Sequence, residues 1–274
     1  MSSSLAGRTI VVTRPQEQAG ELVEQLEARG ALSVLASAIE IVPVPEEVLR
    51  DAVEDLVRGR YEWLILTSRP GVRALMQAVA QHGASPGEVS VRIAAIGEGT
   101  ADALRAWQLE PALVPRTFTT EALARALPRG TGEVLLARAD IAPPGLDDAV
   151  AAKGWTVERV DAYRTRKVRR LPNEARDVLR AGAADALTFT SASTVDGFMA
   201  AIGALELPRA VCIGPVTAKA ARDRGLRVAG VASPHTIEGL VARLERVFAP
   251  PGARGGRRAT PDRTDRTDRR GAPT

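Results

Sequence analysis

Cysteine is nearly absent from this sequence: Cys212 is the only one in 274 residues. A lone thiol forms no internal disulfide, and with only two histidines, His82 and His235, nothing has the spacing of a zinc site. No apolar run approaches the roughly 18 to 20 residues needed to cross a bilayer. The opening MSSSLAG has neither a basic flank nor an apolar core, so no export signal is read there and a cytoplasmic protein is expected. A GxxxxGK[ST] phosphate loop and a DxDxDG cation loop are also missing. Metal catalysis through nitrogen and sulfur ligands is therefore not expected, and no residue pattern calls for a cofactor. What is present, 45% hydrophobic and 26% charged residues, is the balance of a soluble globular protein long enough for two domains.

The sequence pI near 9.8 invites a nucleic-acid function until the charge is located. From Pro250 onward seven arginines face three aspartates, a surplus of four that equals the whole formal net charge of +4. The remaining chain is neutral. The segment 250–274 is rich in Pro, Gly and Arg and almost without apolar side chains, so burial cannot offset its ordering entropy. A disordered tail is expected there, capable at most of a nonspecific polyanion contact.

An internal repeat organises the rest. YEWLILTSRPGVRALMQAV, from Tyr61, matches AADALTFTSASTVDGFMAAI, from Ala183, with Thr67 and Ser68 falling on Thr190 and Ser191. Val72, Leu75, Met76 and Val79 keep helical spacing, as do their counterparts Val195, Phe198, Met199 and Ile202. A second pair of segments sets Gly97 on Gly214, Thr100 on Thr217, Thr119 on Thr236 and Glu121 on Glu238. A weaker third pair sets Arg14 on Arg138 and Gly30 on Gly154.

Each unit is a β-branched run (Ile10 to Thr13, Leu64 to Thr67, Val134 to Leu136, Leu187 to Thr190), a turn and an amphipathic helix, the pattern of a parallel sheet with helical crossovers. The expected fold is α/β: two doubly wound parallel-sheet lobes of flavodoxin-like, three-layer type. Two alternating stretches without helix signals, 38–45 and 159–166, are expected to form a two-stranded β connector. Two connectors imply an inserted lobe: 1–37 plus 167–249 form one lobe and 46–158 the other.

In such sheets ligands bind beyond the carboxyl ends of the strands, where helix N-termini attract anions. Thr67, Ser68, Thr100, Ser191, Ser193, Thr217 and Thr236, with the backbone at Gly97 and Gly214, sit at these ends and are the candidate binding residues for a ligand with several carboxylates or phosphates. Ser and Thr are also favoured as plain helix caps, so each alone is weak. Arg14 and Arg138, each ending a strand, are candidate partners for the same anions. IGEGTAD approaches the dinucleotide fingerprint, but Asp102 takes the third glycine place and the copy IGPVTA lacks the second glycine. Tyr163 stands in a connector, from which its phenol can reach the cleft. His235 is opposed in the repeat by Phe118, which assigns it a space-filling role.

TSRPGV, AIGEGTA, AYRT, CIGPVTAKAARDRGLRV and ASPHTIEGLVARL, in this order, resemble the uroporphyrinogen-III synthase family over about residues 8–248. RADIAPPGL departs from the family's usual arginine-glycine loop at Arg138. The resemblance implies a HemD-like pair of lobes, one inserted in the other. It also implies cyclisation of hydroxymethylbilane, a linear tetrapyrrole with eight carboxylates, to uroporphyrinogen III with inversion of ring D, loss of water and no cofactor or metal. It places Tyr163 where the family has a tyrosine implicated in departure of the hydroxyl. A small-molecule substrate, a monomer, and no membrane or required nucleic-acid partner are expected. The alternative is a non-catalytic bilobed protein that binds tetrapyrroles or other polyanions in the same cleft.

Overall fold

The computed structural model describes residues 3–250; the arginine-rich segment 251–274, and with it the expectation of a disordered tail, lies outside the described residues. Two five-stranded sheets organise the chain. The first runs β10 (Val228–Val231), β9 (Arg209–Cys212), β8 (Ala186–Phe189), β1 (Thr9–Val12), β2 (Leu32–Leu35), all parallel. The second runs β3 (Ile39–Pro43), β7 (Thr156–Lys167), β6 (Glu133–Ala139), β4 (Trp63–Leu66), β5 (Arg92–Ala95), parallel except where β3 meets β7.

Apolar runs such as Ile10–Val11–Val12 become strands because both faces of a parallel sheet are covered. Ile10 and Val12 face α1 (Gln16–Glu27) and α10 (Ile237–Phe248). Val11 faces α7 (Asn173–Arg180), α8 (Ala192–Ile202) and α9 (Pro215–Asp223). The second sheet is covered on one face by α2 (Glu46–Val57), α3 (Arg69–Gln81) and α4 (Glu98–Arg105). Its other face meets α5 (Thr120–Ala126) and α6 (Gly145–Ala151). The repeat is visible in the packing: Leu75 of α3 and Phe198 of α8, aligned in sequence, are both fully buried, and Phe198 meets Phe189 edge-on at 5.5 Å.

The repeated strands take equivalent places, β9-β8-β1-β2 in one sheet matching β5-β4-β6-β7 in the other. In each sheet the winding direction reverses between the first repeat's strand and the third's, at β8/β1 and at β4/β6. These are the switch points at which the fold opens a crevice. They receive the N-termini of α1, α8 and α3.

The connector differs from a free-standing ribbon. TVERVDAYRTRK contains no breaker, so β7 is one twelve-residue strand. It pairs with β6 as far as Tyr163 and then overhangs the sheet to pair antiparallel with β3. Tyr163 sits at that junction, opposite both Ala139 and Pro43. On the first sheet's side the ribbon is seated by Gly197 of α8: a Cβ there would collide with the Ala38 carbonyl and come within 2.8 Å of the Ile39 Cγ2.

Candidate active site

The carboxyl ends of both sheets open on a cleft of about 530 Å³. Of the residues expected there, Arg14, Thr67, Ser68, Gly97, Thr100, Tyr163, Ser191, Ser193 and Thr236 line it. Thr190 and His235 line it as well. Three expectations need correction. Arg138 points away from the cleft: its side chain is 3% exposed, with Nη1 donating to Asp147 Oδ2 at 3.0 Å and to the Pro143 carbonyl at 2.8 Å. The loop that departs from the arginine-glycine pattern supplies the Pro143 carbonyl and α6, which it enters, supplies Asp147, which is why the arginine turns inward. Thr217 is buried on the inner side of α9, and Gly214 lies beneath the His235 ring, 3.8 Å from where its Cβ would be, rather than on the cleft surface. Because Asp147 compensates a cation that cannot reach water, Asp147→Ala is expected to cost about 3 kcal/mol of stability, read from a denaturant midpoint.

The helix ends differ in how much anion-binding capacity they retain. Ser68 Oγ caps α3 by accepting the Gly71 N–H at 3.1 Å, and Ser191 Oγ caps α8 by accepting the Thr194 N–H at 3.2 Å. Neither helix has an acidic residue in its first turn. Ser193 Oγ lies 2.9 Å from Ser191 Oγ, so α8 presents two hydroxyls together. The caps of α4 and α9 are Gly97 and Gly214, extended and without side-chain hydrogen bonds; Pro215 removes one amide donor from α9. At α10, Thr236 Oγ1 accepts the Gly239 N–H at 3.1 Å, but Glu238 already occupies that end. Its own backbone N–H, followed by Thr236, holds the Glu238 carboxyl below the usual carboxylate range. The ends that combine a hydroxyl cap with a first turn free of acidic residues are therefore α3, although Pro70 removes one donor there, and α8, one from each lobe.

Arg14 follows β1 and is 8% exposed. Among the described residues its Nε and Nη1 have no hydrogen-bond partner. Burial, then the guanidinium of Arg69, push its pKa down to about 10, with Glu21 acting in the opposite direction. It is a charged, poorly compensated donor at the switch point of the first sheet, and an anion in the cleft would satisfy it.

Tyr163 is 7% exposed and its O–H donates to Ser68 Oγ at 3.0 Å. Burial raises the phenol above its ordinary pKa, so it carries its proton at neutral pH. Ser68 accepts from Tyr163 and from Gly71 together, which leaves the serine hydrogen free to turn toward the cleft. Tyr163, Ser68 and the α3 N-terminus thus form one polarised chain.

The sequence did not single out Arg69, Glu21 or Phe118. Arg69 Nη1 meets Glu21 Oε2 at 3.0 Å, and Phe118, 37% exposed, covers Gly97 so closely that a Cβ would be 2.9 Å from its ring. Arg69 left one signal: a cation at the first position of a helix opposes the helix dipole and needs another reason to be there. Among the described residues no group of three His, Cys, Asp or Glu is placed to hold a metal ion, and no helix is long and apolar enough to cross a membrane.

The family model for uroporphyrinogen-III synthase HemD matches residues 20–242. The porphyrin biosynthesis protein HemD of Ruminiclostridium josui is 34% identical over 251 residues, 89% of this chain but 49% of that one, so the chain spans about half the length of that relative. The uroporphyrinogen-III synthase of Synechococcus elongatus is 28% identical over 257 residues, covering 88% of this chain and 96% of that one. Among solved structures, a mutant uroporphyrinogen III synthase from Thermus thermophilus superposes with a TM-score of 0.64 at 24% identity, covering 88% of this chain and 99% of that one. The Helicobacter pylori enzyme reaches a TM-score of 0.57 at 20% identity, covering 86% and 97%. These two likenesses bear on the fold alone, two α/β lobes. With its sequence matched from residue 20 to 242, the chain belongs to the uroporphyrinogen-III synthase family, cyclising lyases of tetrapyrrole biosynthesis.

Proposed function

We propose that this protein converts hydroxymethylbilane to uroporphyrinogen III in the interlobe cleft, without a cofactor, as a cytoplasmic monomer. The lobe division proposed with it is 1–37 plus 167–249 and 46–158, linked by 38–45 and 159–166. The observation that carries the proposal is the pairing, across one cleft, of acid-free helix N-termini from both lobes with Arg14, a buried cation lacking a protein partner among the described residues. A substrate with eight carboxylates matches that surface, and the ends of a linear tetrapyrrole must be held by separate anchors if it is to be bent before closure.

Binding and chemistry then divide between residues. Arg14, Ser191 with Ser193, and the amides at Gly97 and Gly99 hold carboxylates. Thr67, Thr100 and Thr236 contribute less, since Thr100 is largely buried and Glu238 competes at Thr236. Fixing the chain so that the substituted carbon of ring D meets the reactive methylene is an orientation effect. The C–O bond of the terminal hydroxymethyl group breaks as the hydroxyl takes up a proton and leaves as water. Tyr163, protonated and linked to Ser68, positions or protonates it. Attack by ring D on the resulting azafulvene gives a spiro centre, which fragments and recloses with that ring reversed.

Incubating the purified protein with freshly generated hydroxymethylbilane and separating the isomers tests this directly. Type III product is expected. Type I product at the uncatalysed rate would leave only a binding role for the cleft.

A further inference from the structure

Among the described residues, one ion pair joins the two lobes away from the ribbon: Arg69 at the start of α3 and Glu21 on α1, 3.0 Å apart and each about 40% exposed. Arg69 is not free to swing. Its Nε donates to the Gly99 carbonyl at 2.9 Å, and a Cβ on Gly99 would lie 3.0 Å from that nitrogen, so the glycine lets the guanidinium lie across the start of α4. Fixed to one lobe by Nε, it reaches the other through Nη1. Glu21, Arg14 and Arg69 line the same cleft, and the Glu21 charge acts on Arg14 without a hydrogen bond to it. One carboxylate thus serves two guanidiniums, one from each lobe, and is bonded to only one of them.

We propose that Arg69 and Glu21 form an exchangeable latch: a ligand carboxylate displaces Glu21 from Arg69 and is clamped between Arg69 and Arg14, closing the lobes on the bound polyanion. The proposal rests on the cleft being the tetrapyrrole site and adds a residue that ties binding to closure. Glu21 is then both the resident partner of Arg69 and the competitor of the ligand. A half-exposed pair suits that role, since such pairs are weak, screened by salt and readily exchanged. A bidentate guanidinium-carboxylate contact to the ligand is the stronger replacement.

Two measurements on the full chain test it. In small-angle scattering without ligand, Glu21→Gln is expected to have a larger radius of gyration than wild type at low salt, and the difference should vanish at high salt, where the wild-type pair is screened. With hydroxymethylbilane, Arg69→Gln is expected to raise KM about tenfold, Arg69→Lys to raise it less, and Glu21→Gln to lower it about threefold, because a competing anion has been removed. A scaffold role would move Arg69→Gln and Glu21→Gln in the same direction. That result, or a Glu21→Gln radius equal to wild type at low salt, overturns the latch. If wild-type protein itself forms no type III product, the assignment of the substrate has failed, while the scattering comparison still decides whether the latch exists.

Discussion

Replacing Tyr163 with phenylalanine is expected to lower kcat between tenfold and a hundredfold while KM changes less than about threefold. The phenol lies in a nearly closed position at the junction of sheet and ribbon, and its proton is directed onto Ser68. Removing the oxygen keeps the ring that fills the site and breaks only the donor chain, so the loss falls on the step in which the hydroxyl leaves. Ser68→Ala should reproduce part of this loss, unlike Ser193→Ala, because Ser68 holds both Tyr163 and the first turn of α3. The pH profile follows from the same burial. A phenol raised above its ordinary range stays protonated through neutral and mildly alkaline pH, so any fall in kcat caused by its ionisation comes at higher pH than for a free phenol. A Tyr163→Phe enzyme with wild-type kcat would remove the residue from the chemistry.

Arg14→Met is expected to make the protein more stable and less able to bind. The folded-state pKa of Arg14, about 10, lies below the ordinary 12.5, so the unfolded chain holds this proton more tightly than the folded one. Its charge therefore opposes folding at every pH below about 10, by on the order of 3 kcal/mol, and the deficit is relieved only as pH rises past that value. An apolar chain of similar length removes the cost, as replacement of poorly compensated buried charges generally does. The melting temperature should rise by a few degrees and KM for hydroxymethylbilane by about tenfold or more. A variant that loses stability would show that the cation is compensated by its surroundings, contrary to the role assigned to it.

Much of the architecture was legible because the repeat gave two readings of each element. The paired patterns around Val72 and Val195 identified α3 and α8. Pro15 stands at the entry to α1, a place proline favours, and Gly30, Gly83, Gly154 and Gly225, each just past a helix, all take positive φ, as helix-ending glycines do. Two kinds of feature were not legible. The inward turn of Arg138 depends on where Asp147 and the Pro143 carbonyl fall, which no repeat position encodes because Arg14, its aligned partner, has neither. The Arg69–Glu21 pair joins residues from different lobes with no counterpart in the other copy, where Ala192 stands in place of Arg69. Contacts made once, between lobes, leave no periodic trace. Thr236 belongs to the same set of candidate binding residues as Ser68, but Glu238 already sits on its helix end.

In the proposed function, helix ends from both lobes hold one polyacid between them. Amide hydrogen exchange with and without uroporphyrinogen III tests it most directly. Added protection is expected together at 68–71, 97–100 and 191–194, the first turns of α3, α4 and α8. Protection confined to one lobe, or falling elsewhere on the surface, would contradict it.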